Sequence, residues 1–286
     1  MKTKEKRDIY QEITDKLIAQ LEAGTPVWRK SWQALDKSGM PKNLASGKYY
    51  RGINFLMLAC SPYLDNRWLT YKQAAAMDAQ VREGEKGTSI VFWNWIDTGE
   101  KLASGKPKLR PFLKTFTVFN AEQIDGLPEV ITPNVGEFDP IEKAESVIAE
   151  TGANIRHYGS QPCYSPATDR ITMPEKTSFD TPEAYYATVY HELAHWSGHA
   201  SRLNRDGVTD GARFGSETYG KEELIAEMAA AFVCAETGID GQLESSASYL
   251  KHWIQSLKAD NKLALQAAGA AQKAADLILK REFEAV

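Results

Sequence analysis

The sequence predicts an α+β protein in two parts, a small α+β unit followed by a mostly helical unit with a short sheet. Three observations carry this reading. Residues 88–96 and 111–120 are rich in β-branched and aromatic residues, the second stretch alternating, as paired strands do. Apolar residues recur at helical spacing near the start of the chain and again through much of 182–282. Between the halves, residues 126–140 (GLPEVITPNVGEFDP) gather three prolines and two glycines among acidic residues, a composition suited to a linker. The two parts are therefore placed at 1–128 and 136–286.

Each element follows from local chemistry. Residues 8–23 put Ile9, Ile13, Leu17, Ile18 and Leu21 on one helical face, and Gly24 and Pro26 stop the run. Turn-rich residues 25–48 carry Trp28 and Trp32. A short apolar helix starts near Gly52 (GINFLMLAC), and a strand end leads into a helix capped by Thr70. A turn at 81–87 precedes the first long strand, residues 99–110 read as a hairpin tip, and 111–120 form the partner strand. In the second part a helix is expected at 140–151 and two or three short strands at 154–173. A strongly capped helix begins at Asp180-Thr181-Pro182-Glu183 and runs to about Gly198. Further helices cover roughly 221–237 and 246–282.

Composition narrows the function classes. No apolar run reaches the roughly 20 residues a membrane span needs. The start of the chain, MKTKEKRDIYQEITDKL, lacks the apolar core of a secretory signal, so a cytoplasmic protein is expected. Cys60, Cys163 and Cys234 are odd in number and far apart, which suits buried free thiols and not a disulfide framework. The net charge of −4 hides a split. Residues 1–126 hold 20 Lys+Arg against 14 Asp+Glu, and 127–286 hold 14 against 24. A basic first half points to a polyanionic partner.

The sharpest motif is His191-Glu192-Leu193-Ala194-His195. Two histidines four apart on a helix project from one face and can reach one ion, and the adjacent Glu192 lies where it can take a proton from an activated water. Residues 169–174 (DRITMP) read as a strand ended by Pro, an edge beside this helix that would hold an extended peptide by main-chain hydrogen bonds. A catalytic zinc wants three protein ligands and one open position. KEELIAEMAAAF (221–232) offers the third: carboxylates on an apolar face need a partner charge or a metal. Glu223 is assigned as ligand, with Glu227 one turn on, placed to accept the outer N–H of a ligand histidine. The reverse assignment stays open, and Glu222 is read as solvated. His199 competes, eight residues after His191. HExxHxxGxxH would put its third histidine at 201, where Ser201 stands. His199, Tyr219 and Arg202 are further candidates for contacting a developing oxyanion. Zn2+ suits the His2Glu set, and another divalent ion such as Mn2+ fits the same donors. The alternative is an amphipathic helix with two surface histidines.

Five of seven tryptophans fall in the first 95 residues, among Lys and Arg. Aromatic faces stack on unpaired bases while cations follow phosphates. Trp28, Arg29, Lys30, Trp32, Tyr50, Arg51, Trp68, Lys72, Arg82 and Lys86 are thus candidate contacts for single-stranded DNA, although about half of the aromatics are expected in the core. The turn REGEKGT (82–88) lacks P-loop spacing.

These segments together resemble the ArdC-type antirestriction proteins of conjugative plasmids, which are related to the N-terminal part of TraC-type primases. The resemblance spans nearly the whole chain. In the first half it is carried by YQEITDKLIAQLEAGTPVWRKSW, NLASGKYYRGINFLML, WLTYKQA, VREGEKGTSIVFW and FTVFNAEQIDGLP. In the second it is carried by HELAHWSGHASRLNR and YGKEELIAEMAAAF. It implies an N-terminal single-stranded-DNA-binding domain and a C-terminal zincin-like metallopeptidase domain, similar in layout to Spartan-type proteases. It also implies a role in protecting incoming plasmid or phage DNA from restriction. His191, Glu192 and His195 match its peptidase motif and Glu223 its downstream acidic motif. The rival expectation is a DNA-binding shield or decoy whose metal site serves folding alone.

Overall fold

The computed structural model of the chain describes residues 8–23, 40–63, 65–101, 104–105, 107–127, 140–210, 216–239 and 247–281. Helix α1 (Ile9–Glu22) starts where Asp8 accepts a hydrogen bond from the Gln11 amide, and it buries Ile13, Leu17, Ile18 and Leu21. Strands β1 (Lys42–Asn43), β2 (Arg67–Leu69), β4 (Thr88–Lys101) and β5 (Pro107–Asn120) form one sheet in the order β1-β2-β5-β4. Helix α2 (Ile53–Ala59), almost wholly buried, packs under β4, where the Asn54 side chain hydrogen-bonds both to the Val91 amide and to its carbonyl. Helix α3 (Tyr71–Ala75) opens on a reciprocal Thr70/Gln73 capping box. It covers the small β3–β6 ribbon (Gln80–Val81 with Ile124–Asp125) through Ala74, Ala79, Val81 and Ile124. The β4–β5 hairpin is longer than its sequence suggests. Pairing continues to Lys101 and resumes at Pro107, across a register shift between Asp97 and Lys101.

The described residues of the second half hold α4 (Pro140–Thr151), a three-stranded sheet and five more α-helices. The sheet order is β7-β9-β8, from β7 (Asn154–His157), β8 (Cys163–Ser165) and β9 (Arg170–Met173). The strand expected at an edge, β9, is therefore central, because β7 pairs with it in parallel on the other side. The edge beside the next helix is β8. Helix α5 (Pro182–Ser197) starts at Thr181, whose hydroxyl accepts from the Ala184 amide, and Pro182 occupies its first turn. A short α6 (Asp206–Thr209) leads towards α7 (Glu217–Thr237), which ends on Gly238 at φ +73°. The expected single helix over 246–282 is two, α8 (Ala247–Ala259) and α9 (Leu263–Ile278). They break where Asp260 turns its carboxylate onto the Lys262 amide, a local bond that competes with helix continuation.

The two halves share one core. Ala264, Ala267, Ala268, Ala271, Ala274 and Ala275 keep α9 thin, so that α5, α7, α1 and α2 all approach it. Thr14 of α1 donates to the Asn261 carbonyl at the α8–α9 corner. Phe55 of α2 meets Phe232 of α7 edge-to-face at 5.1 Å. Of the expected linker, residues 126–140, only the ends (126, 127 and 140) are among the described residues. No described helix is long and apolar enough to cross a membrane. None of the three cysteines is in a disulfide among the described residues; Cys234 is buried as expected, whereas Cys60 is only half-buried and Cys163 is exposed.

Candidate metal centre and nucleic-acid interface

Helices α5 and α7 pack face to face, and each contributes to one cluster. His191 and His195 stand one turn apart on α5, and Glu223 faces them from α7. One donor atom from each lies within 4.8 Å of the others. The two Nε2 atoms are 3.2 Å apart, and each lies 3.5 Å from a Glu223 oxygen. Ligands about 2.0–2.1 Å from a tetrahedral ion stand roughly 3.4 Å from one another. The triad already has that spacing, and its N2O donor set suits zinc or a similar divalent ion.

The charges around it are unbalanced without a cation. Burial alone would lower the pKa of His191. The hydrogen bond to Glu223 and the charges of Glu227, Glu192 and Glu223 outweigh it and lift the group to about 9. Burial would raise Glu223, yet the His191 hydrogen bond, the two histidines and Tyr219 hold it down at about 2. A divalent ion would take over the positive charge that the protonated imidazole supplies.

The supporting residues differ from expectation. Glu222, read as solvated, is buried, and Oε1 accepts from His195 Nδ1 at 3.2 Å. Arg205 grips the same carboxylate with two bonds, Nε to Oε2 at 2.9 Å and Nη2 to Oε1 at 2.6 Å. These bonds hold the Glu222 carboxylate below its ordinary range even though burial pushes it up. Glu227 is buried and acts on His191 through its charge, but among the described residues the buried Nδ1 of His191 has no hydrogen-bond partner, so Glu227 does not take that proton. Of the two acids it is Glu222, next to Glu223 on the same helix, and not Glu227, that meets the outer nitrogen of one of these histidines. His199 is not in the cluster. Helix α5 ends at Ser197, and the ring turns away to bond Ser201 at 2.8 Å. Tyr219 hydrogen-bonds to Glu223 and is a neighbour of the site. Arg202 is structural: it stacks 4.0 Å above Trp196 and pairs with Asp169 at the turn between β8 and β9. Glu192 is buried on α5. Its charge reaches Cys163 on β8, where burial and then Glu192 raise the thiol pKa. Cys163 had no sequence signal.

In the basic half, Trp28, Arg29, Lys30 and Trp32 lie outside the described residues. So do the side chains of Trp93 and Trp95. Trp68 is 0% exposed and sits in the core, where no base reaches it. Tyr50 is half-buried and its hydroxyl accepts from Asn43. Arg51 is committed to Asp276 on α9. Arg82 is exposed but pairs with Glu85 and Asp125. Lys72 and Lys86 remain exposed. The aromatics that do face solvent include Tyr71, Phe92, Phe112 and Phe116. Cross-strand register puts Phe92, Phe112 and Phe116 on one face of the β4–β5 hairpin with Arg110 and Lys114. Phe92 and Phe116 meet edge-to-face at 6.4 Å, and the Lys114 ammonium lies 4.9 Å from the Phe116 ring centre. Alternation in 111–120 reveals the strand, but it does not tell which face is left uncovered.

Comparison with known proteins finds a family match for each half. Residues 7–119 match the N-terminal domain of the anti-restriction factor ArdC, and 142–270 match a zincin-like metallopeptidase domain. Two proteins called DNA primase TraC from Escherichia coli are each 41% identical over 98% and 97% of the chain, which spans only 20% and 27% of their length. An uncharacterized protein, y4eC of Sinorhizobium fredii (strain NBRC 101917 / NGR234), is 38% identical over 97% of this chain and 94% of its own. Crystal structures of the antirestriction ArdC protein from plasmid R388, metal-free and Mn(II)-bound, superpose with a TM-score of 0.77. They are 40% and 42% identical and cover 96% of the chain and nearly all of the relative. A basic sheet unit, a metal-ready pair of helices and likeness over the full length of both chains place this protein in the ArdC family of antirestriction proteins.

Proposed function

We propose that the protein binds single-stranded DNA through its first half and hydrolyses peptide bonds in DNA-associated proteins with its second, and thereby protects incoming DNA from restriction. The observation that carries the peptidase reading is the convergence of His191, His195 and Glu223 at tetrahedral ligand spacing, with Glu192 beside them.

A divalent ion held by those three side chains supplies Lewis-acid polarisation of a peptide carbonyl and of the attacking water. The protein supplies the rest. Glu192 takes the proton of the attacking water and delivers it to the leaving amine. Tyr219, already hydrogen-bonded beside Glu223, is positioned to support the developing oxyanion. Among the described residues β8 is an edge of its sheet and packs near α5, and its unpaired side would offer an extended peptide main-chain partners. Arg202 keeps that strand in register with α5 by holding both the Asp169 turn and Trp196. Zn2+ is the ion proposed, and Mn2+ serves the same donors.

The DNA reading rests on the hairpin face. Phe92, Phe112 and Phe116 offer stacking surfaces, and Arg110, Lys114, Lys72 and Lys86 offer phosphate partners. The test uses the zinc-loaded full chain, a protein bound to single-stranded DNA, and the Glu192→Gln variant. The expected result is cleavage by wild type and none by the variant, with equal metal content. A variant that still protects DNA in cells as well as wild type would favour shielding over proteolysis.

A further inference from the structure

We infer that Glu222 and Arg205 are positioning residues which fix the tautomer and aim of His195, so that Nε2 is presented to the ion as a lone pair. This rests on the metal site proposed above. The two metal-facing histidines are held in different ways. Among the described residues the buried Nδ1 of His191 has no hydrogen-bond partner, and Glu227 reaches that ring through its charge. His195 Nδ1 points at Glu222 Oε1, 3.2 Å away. A carboxylate at that position can only accept, so Nδ1 must carry the proton and Nε2 is left free for a metal.

Glu222 is in turn fixed by Arg205, whose guanidinium meets both carboxylate oxygens in a fork. The same guanidinium donates to the Ala194 carbonyl at 2.6 Å and to Ser197 Oγ at 2.8 Å. One side chain therefore ties the end of α5, the start of α6 and the metal-facing side of α7. It is also the cation that offsets Glu222 in a pocket that already holds Glu192, Glu223 and Glu227. Two glycines make room. A Cβ on Gly207 would lie 2.6 Å from Glu222 Cβ, and one on Gly198 would lie 2.9 Å from Arg205 Cζ. At Gly207 the neighbour is the root of the Glu222 side chain, so a methyl there must displace it, whereas at Gly198 the nearest atom is Val208 Cγ2 at 2.6 Å and the guanidinium comes second.

The experiment measures Zn2+ and Mn2+ affinity of the full chain by competition with a chelator, and the protonation of His195 from side-chain 1H–15N spectra of the zinc-loaded protein. Wild type should show a slowly exchanging His195 Nδ1–H. Glu222→Ala should lose that resonance and weaken metal binding about 10–100-fold. Glu222→Gln keeps an acceptor oxygen and should recover most of the tautomer. Arg205→Lys should fall between, and Gly207→Ala should weaken binding with the pair intact in sequence. Wild-type spectra with the proton on Nε2, or folded Glu222→Ala with wild-type affinity, would overturn the inference. If Glu222→Ala does not fold, the wild-type spectrum and Gly207→Ala still decide. Protein that binds metal as described but cleaves nothing would sink the peptidase reading and leave this one standing.

Discussion

The α5–α7 interface and the β4–β5 hairpin are opposite solutions to placing functional side chains. At the helix interface, charged groups are buried and each takes a defined partner: Glu222 with Arg205, Glu223 with the histidines. Position is set by packing, and a small displacement matters. On the hairpin, aromatic rings are left in water at a hydration cost, and nothing in the described residues covers them. The first arrangement suits one small ion at fixed distances. The second suits a long, flexible polymer read by stacking and charge.

Removing a ligand should break the first region and spare the second. Glu223→Ala is expected to cut metal affinity by about 1,000-fold or more, since a three-ligand site loses its only anionic donor; metal content and single-stranded-DNA affinity, measured together, check that only the former falls. Trp68→Ala separates core from contact. With its ring fully buried, it should cost about 3–5 kcal/mol of stability in a denaturant melt, and any loss of DNA binding should appear only with unfolding. The converse experiment is Phe92→Ala with Phe116→Ala. Each stacked base is worth about 1–3 kcal/mol, so the double variant should lose DNA affinity by tens of fold or more with metal binding unchanged. Retained DNA affinity would move the interface elsewhere.

Acidity sharpens the contrast. In the metal-free protein His191 is lifted to about 9, above its ordinary value, whereas Glu223 is lowered to about 2. Between pH 6.5 and 9 metal binding must therefore expel about one proton from His191 while Glu223 stays ionised. Apparent affinity should rise roughly tenfold per pH unit and level off near pH 9; titration calorimetry in buffers of different ionisation enthalpy counts the proton. The sign for stability is the reverse. The His191 contribution to the metal-free fold is complete below its unfolded value and is lost as pH climbs through 9. The smallest effect is at the hairpin: Lys114→Gln should flatten the salt dependence of DNA binding by somewhat less than one ion.

The same contrast explains what could be read from sequence. His191, Glu192 and His195 were legible because helical spacing alone sets their geometry. Glu223 was legible as an acid amid apolar neighbours. Glu222 was not, because its partner Arg205 arrives from a turn 17 residues away in the chain. The edge strand was misplaced because strand order is non-local, and β7 takes the free side of β9. Arg51 looked like a phosphate contact, but its partner Asp276 is 225 residues distant. Phe92, Phe112 and Phe116 were assigned to strands correctly, but their exposure was not foreseen, since uncovered faces depend on everything packed nearby.

The clasp of α1 and α2 against α8 and α9 has a practical side. A protease nick within 128–139 should leave two fragments that stay together until denaturant is added, because the apolar flank of α9 would otherwise be stripped bare. Chains cut short before Ala247, or starting after Pro140, would expose that flank and are expected to aggregate. Testing the two proposed activities therefore calls for point variants in the intact chain, not for severed halves.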